Sequence, residues 1–251
     1  MSELLTNKVA IVTGGAGGIG SRIAKAYANQ GAKVVVASRN QEKLSKVVGE
    51  IESSGGEAIA IATDVTVPED VENMVNKTIE RFGCIDILVN NSGGAMFIKT
   101  PNELEPEEWD AAIRLNLSSV FLCSRAVSEH MMKKKKGRII NISSVAGMRL
   151  SPSFVHYGAA KAGVINLTKG LAVCWAPNNI NVNCIAPGLT ATEGVANWLP
   201  EKNKEDGTPV PPLLYPPNPE DVADLAIFLA SELSSHLSGE LFPIRSLTEL
   251  A

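Results

Sequence analysis

A chain of 251 residues, 45% hydrophobic and 20% charged, has room for one large α/β domain with a substantial core. A net charge of −4 offers no electrostatic footprint for nucleic acid, and no apolar run approaches the ~20 residues of a membrane helix. Met1–Lys8 lacks the apolar centre of a secretion signal, and Cys84, Cys123, Cys174 and Cys184 are far apart with no histidine at metal spacing, so buried reduced thiols, a cytoplasmic setting and no metal site are expected.

Lys8–Thr13 is a β-branched run of the kind found in buried parallel strands. It leads into Gly14-Gly-Ala-Gly-Gly-Ile-Gly20 and then an amphipathic helix through Ala24, Tyr27 and Ala28. Strand, glycine-rich turn and helix form a phosphate cradle: Gly14 permits the tight turn, and Gly18, Ile19 and Gly20 bring backbone amides to a pyrophosphate at the helix start. Lys33–Ser38 is a second strand, ending on Ser38-Arg39 where a ribose-binding carboxylate would favour NAD(H). Serine and arginine instead suit a 2′-phosphate, so NADP(H) is expected over NAD(H), with stacking of Arg39 on adenine as the alternative.

A helix over Gln41–Ser53, a turn at Gly55-Gly56 and a strand over Glu57–Thr63 follow. Asp64 and Val65 come next, where the adenine would lie, although Asp64 equally suits a turn before Pro68. A helix over Glu69–Arg81 precedes a strand over Cys84–Val89, whose exit Asn90-Asn-Ser-Gly-Gly94 offers amides to brace the central strands and glycines to admit a cofactor at Asn91, Ser92 and Gly93. Glu103–Ile113 and Ser118–Met132 read as helical, with the amide of Asn116 buried between them, either at a water-filled kink or in a proton path. Lys133–Lys136 is expected to be a solvated helix end, where cations suit the helix dipole.

Arg138–Ile142 is strand-like, and Asn141-Ile-Ser-Ser-Val-Ala-Gly147 is its small, polar exit. Tyr157 and Lys161 then stand four apart on a helix whose apolar residues (Val164, Ile165, Leu167, Leu171, Val173) recur at helical spacing, so the two share a face. A nearby ammonium favours a phenolate, and moving a tyrosine from ~10 to about 7 takes roughly 4 kcal/mol, which a lysine and an oxidised nicotinamide would supply together. Tyr157 is then a general acid–base, with Ser144 at the neighbouring strand end to hydrogen-bond a carbonyl oxygen.

Ile180–Ile185 is a sixth strand, broken by Pro187-Gly188. Between Leu189 and Pro219 the periodicity is lost; seven of the 14 prolines lie in Pro200–Pro219, which marks a substrate-covering segment. A helix starts at Pro219, and Gly239–Pro243 closes the chain as a last strand. With no repeat or linker, residues 1–251 form one dinucleotide-binding and catalytic domain.

These motifs resemble the classical short-chain dehydrogenase/reductase superfamily over nearly the whole chain. Thr13, Gly14, Gly18 and Gly20 match T-G-x-x-x-G-x-G; Asn90-Asn-Ser-Gly93 matches N-N-A-G with Ser92 for alanine. Asn116, Ser144, Tyr157 and Lys161 fall on the catalytic tetrad, and Pro187-Gly188 on the motif after the sixth strand. The resemblance implies a three-layer, doubly wound Rossmann-like fold with a seven-stranded parallel sheet, order 3-2-1-4-5-6-7, assembled as a dimer or tetramer. It also implies roles: Tyr157 exchanges the proton, Ser144 holds the substrate oxygen, Lys161 binds the nicotinamide ribose, Asn116 holds a relay water, and Thr190 and Thr192 contact the nicotinamide end. Two departures stand out. Phe242-Pro-Ile-Arg-Ser-Leu-Thr replaces the closing V-D-G-G, a region of tetramer contacts, and the glycine loop lacks the basic residue of some NADP-dependent members.

The expected function is an NADP(H)-preferring interconversion of a secondary alcohol and a ketone. The substrate expected is small and largely apolar, held by Met96, Phe97, Met148, Val155, Leu189 and the segment around Trp198, with Arg149 solvated or, as the alternative, meeting a carboxylate or other anion. An epimerase or dehydratase that retains its cofactor, and an idle dinucleotide-binding sensor or assembly partner, are the alternatives.

Overall fold

The computed structural model describes residues 3–250, the last two by backbone alone. Seven strands form one parallel sheet: β1 (Val9–Thr13), β2 (Lys33–Ser38), β3 (Glu57–Ala62), β4 (Ile87–Asn90), β5 (Gly137–Ile142), β6 (Ile180–Pro187) and β7 (Leu241–Ile244). Their order is β3-β2-β1-β4-β5-β6-β7, as expected from the resemblance. The order reverses between β1 and β4, which opens a crevice at the C-terminal strand ends, where ligands bind in such sheets.

Period-two alternation explains why the strands read as continuous apolar runs. Ala10, Val12, Val34, Val36, Ile87 and Val89 face one layer, with α1 (Gly18–Asn29), α2 (Gln41–Ser53) and α7 (Pro219–Ala230). Ile11, Val35, Leu88 and Ile139 face the other, against α3 (Pro68–Phe82) and α5 (Ser119–Lys134). Tyr27 ties the first layer together, its buried hydroxyl donating to the Ala226 carbonyl at 2.9 Å. The remaining helices are α4 (Pro106–Ile113) and α6 (Val155–Trp175).

Several local expectations need correction. The fourth strand starts at Ile87 rather than Cys84, and just before it the Asp86 carboxylate accepts from the Val9 amide at 2.9 Å. Lys133–Lys136 does close α5 as a solvated end, with Lys133, Lys134 and Lys135 exposed, and three of its lysines also make ion pairs: Lys133 with Glu129 (2.8 Å), Lys134 with Asp86, and Lys136 with Glu232 (2.7 Å). Cys174 is exposed and Cys84 half-buried, so only Cys123 and Cys184 are core thiols. Val173 is also exposed (77%), on the outer side of α6.

Candidate active site

A cavity of about 710 Å³ lies where the glycine turn, the β4 exit and the β5 exit meet. Gly14 bends the chain with φ +65°, and Gly18 has φ +52°, both left-handed positions that favour glycine. Gly17, Gly18 and Ile19 border the cavity, and no side chain caps the start of α1, so the helix presents its first backbone N–H groups there. This uncapped cradle fits a dinucleotide pyrophosphate.

Gly20 works differently. A Cβ there would lie 2.3 Å from the Gly14 carbonyl oxygen and 2.4 Å from Asn91 Nδ2, so its small size seats α1 on the turn. Gly20→Ala is expected to destabilise the fold by about 1–3 kcal/mol through overpacking and to weaken dinucleotide binding. Thermal melts and a fluorescence titration with NADPH check this.

The β4 exit is braced from below. Asn91 Nδ2 donates to the carbonyls of Thr13 (3.1 Å) and Gly14 (3.2 Å), while its amide donates to Thr13 Oγ1 (3.0 Å). Asn90 Nδ2 donates to Ser124 Oγ (2.9 Å) and Asn141 Oδ1 (2.8 Å), and Asn141 Nδ2 to Thr168 Oγ1 (2.9 Å). Asn91, Ser92 and Gly93 border the cavity, as do Pro187, Gly188, Thr190 and Thr192 beyond β6.

Ser144, Tyr157 and Lys161 border it too. Ser143 Oγ donates to the Lys161 carbonyl (2.8 Å), and a Cβ on Gly147 would sit 2.5 Å from the Lys161 carbonyl carbon, so the β5 exit rests directly on α6. Lys161 is buried; its Nζ lies 5.6 Å from the Tyr157 ring centroid and donates to the Ile142 carbonyl at 2.9 Å. Burial pushes its ammonium down to about 8, with Cys184 pulling the other way. Two of its three donors remain for a ribose and for water. Burial also raises the Tyr157 phenol above its ordinary value, and a hydrogen bond with the Ser144 side chain offsets part of that rise. Lys161 does not lower it in the protein alone, and the lowering expected from a lysine and an oxidised nicotinamide together concerns the loaded site. The ammonium reaches past the ring to a backbone carbonyl, so the protein alone keeps Tyr157 protonated.

Asn116 is buried but does not border the cavity. It sits in a π-helical turn (Arg114–Ser118) joining α4 to α5; its Oδ1 accepts from the Gly94 amide (2.9 Å), and its Nδ2 donates to the carbonyls of Gly94 and Ala112 (both 3.1 Å). Its side chain thus clamps the glycine turn after β4 through Gly94 and ties it to α4 through Ala112, and Gly93 leaves no room for a Cβ, which would lie 2.6 Å from Asn116 Oδ1.

Ser38, Arg39, Asp64 and Val65 stand outside the cavity, at the ends of β2 and β3. Arg39 is exposed and Val65 is core. Asp64 takes the turn role, accepting from the Thr66 amide (2.9 Å) and hydroxyl (2.7 Å). Burial alone would raise its carboxyl, but those bonds and the charge of Arg39 hold it below the usual range.

Of the apolar residues expected to hold substrate, only Leu189 and Trp198 border the cavity. Met148 and Val155 face a neighbouring shallow groove, and Phe97 packs on the buried His156 ring (5.8 Å). Phe154, Val195, Pro200 and Pro216 take their place. Arg149 is exposed and also borders the cavity, as do Ser246 and Thr248 of the tail. For the tail no sequence signal existed, because the family pattern breaks off there.

Residues 8–203 match the family model of short chain dehydrogenases. A 3-oxoacyl-[acyl-carrier-protein] reductase of Synechocystis sp. is 41% identical over 245 residues, 96% of each chain. A (2S)-[(R)-hydroxy(phenyl)methyl]succinyl-CoA dehydrogenase subunit of Thauera aromatica is 38% identical over 94% of each chain. The crystal structure of levodione reductase superposes with a TM-score of 0.90 at 29% identity, covering 98% of this chain and 99% of that one.

Proposed function

Given that the chain belongs to the short chain dehydrogenase family of oxidoreductases, we propose that it is an NADP(H)-preferring reductase of 3-oxoacyl thioesters, acting in the direction of the alcohol. One observation carries the reading: Ser144, Tyr157 and Lys161 share one cavity with an uncapped, glycine-rich helix start. The substrate class follows from relatives named for a 3-oxoacyl carrier-protein thioester and for an acyl-CoA thioester, each aligned over nearly its full length.

Gly14, Gly18, Ile19, Gly93, Lys161 and Thr190 would hold a reduced nicotinamide dinucleotide, which would supply a hydride to the 3-oxo carbon. The C–O π pair moves to oxygen, which Ser144 holds, and the Tyr157 hydroxyl donates its proton there. A phenol that burial keeps protonated suits this direction, because it is far more acidic than the secondary alcohol it creates. The apolar wall of Leu189, Val195 and Trp198 receives the acyl chain, and the segment 189–219 covers it. Phe121 and Val173, both exposed on helices, are apolar surface for a second copy of the chain in a dimer or tetramer.

Absorbance at 340 nm tests the function. NADPH consumption with an acetoacetyl thioester is expected to exceed that with a simple ketone by at least tenfold in kcat/KM. Equal rates on both would remove the thioester assignment, and no NADPH consumption on any ketone would remove the reductase itself.

A further inference from the structure

We infer that the chain's own C-terminal tail forms part of the substrate wall, with Ser246 and Thr248 as specificity-determining residues that donate a hydrogen bond to an acceptor group of the substrate beyond the reacting carbonyl. This rests on the reductase reading of the cavity.

The sheet delivers the tail to the site. β7 pairs with β6 so that Ile244 lies opposite Pro187, and the Gly188 amide donates to the Ile244 carbonyl at 2.8 Å. Two residues later the chain turns inward. Ser246 is buried (2% exposed), its hydroxyl stands 2.6 Å from the Thr248 hydroxyl, and its oxygen accepts from the Thr248 amide at 3.2 Å. That turn folds Leu247–Leu250 into a helical turn packed against Pro212–Leu214 of the proline-rich segment. Two stretches far apart in sequence thereby brace each other.

Both residues border the cavity, beside the apolar Leu189, Trp198, Pro200 and Pro216. A serine and a threonine carry two hydroxyl protons, and the bond between them uses one. The other is left for a ligand, whereas the Thr190 hydroxyl is already spent on the Gly188 carbonyl at 3.1 Å. A substrate with a second carbonyl satisfies that proton; an alkyl ketone leaves it facing an apolar chain, which costs the desolvation of a polar group.

The test uses full-length Thr248→Val and Ser246→Ala, assayed with a 3-oxoacyl thioester and with an alkyl ketone of equal length, and also with a diketone and its monoketone counterpart. The preference ratio in kcat/KM for the dicarbonyl partner is expected to fall about tenfold in Thr248→Val, and to be retained in Thr248→Ser. The NADPH dissociation constant is expected to stay unchanged. A ratio that does not move, or one that moves together with NADPH affinity, overturns the inference. If Ser246→Ala fails to fold, Thr248→Val decides alone, since that side chain is exposed. Wild-type turnover of the thioester tests the function itself, while the variant ratio on the diketone pair tests the tail, so the two fail separately.

Discussion

Tyr157→Phe is expected to lower kcat by about 10³-fold, within the range for loss of a general acid. Phenylalanine keeps the ring that packs 5.6 Å from Lys161 Nζ and removes only the hydroxyl, so NADPH affinity and the melting temperature should stay close to wild type. A stopped-flow single turnover separates the chemical step from binding; a variant that retained wild-type kcat would end the assignment of Tyr157. The pH profile follows from the same pair. Reduction needs a protonated phenol and a cationic lysine. The phenol lies above its ordinary value, so the first proton lost as pH rises is that of Lys161, at about 8. The kcat/KM for reduction should be flat below about 8 and fall tenfold per pH unit above it, and a profile level to pH ~10 would show that Lys161 stays charged. Stability has the opposite sign in that window. Between about 8 and the ordinary 10.5 the unfolded chain binds the Lys161 proton and the folded chain does not, so the Lys161 contribution to folding rises with pH.

The sequence reveals the sheet and much of the site because both rest on local chemistry. Strands buried on two faces must be apolar throughout, so Lys33–Ser38 and Ile180–Ile185 are plain to see. Gly14, Gly18 and Gly20 are needed for positive φ or close packing, which no other residue supplies. What stayed hidden depends on contacts between distant segments. Nothing near Asn116 tells that its amide closes on Gly94, 22 residues away. Nor does helical spacing tell that Lys161 bonds the Ile142 carbonyl rather than the phenol four residues back. The proposed substrate wall is the least legible. An apolar residue such as Met148 or Val155 serves any surface, and the fold brings Phe154, Val195 and the tail to the cavity that holds Tyr157 instead.

Replacing Arg39 with Asp is expected to cut kcat/KM with NADPH by about 100-fold, since it removes a charge-assisted hydrogen bond worth ~1.5–3 kcal/mol and sets a carboxylate beside the 2′-phosphate. NADH lacks that phosphate and should lose little, so the cofactor preference inverts. The structure makes Arg39 a clean site for the exchange. Its side chain is exposed at the end of β2 and lies outside the cavity that holds Tyr157, so neither the core nor the proton donor is disturbed. Asp64, however, feels the arginine charge, and reversing it places two carboxylates near one another. The Asp64 carboxyl should then titrate closer to its ordinary value, while its bonds to the Thr66 amide and hydroxyl keep the turn intact. Arg39→Ala separates the two effects, because it removes the phosphate contact without adding repulsion. If NADPH use survives Arg39→Asp unchanged, the 2′-phosphate is not read at this strand end, and the pairing argument fails whatever the rest of the site does.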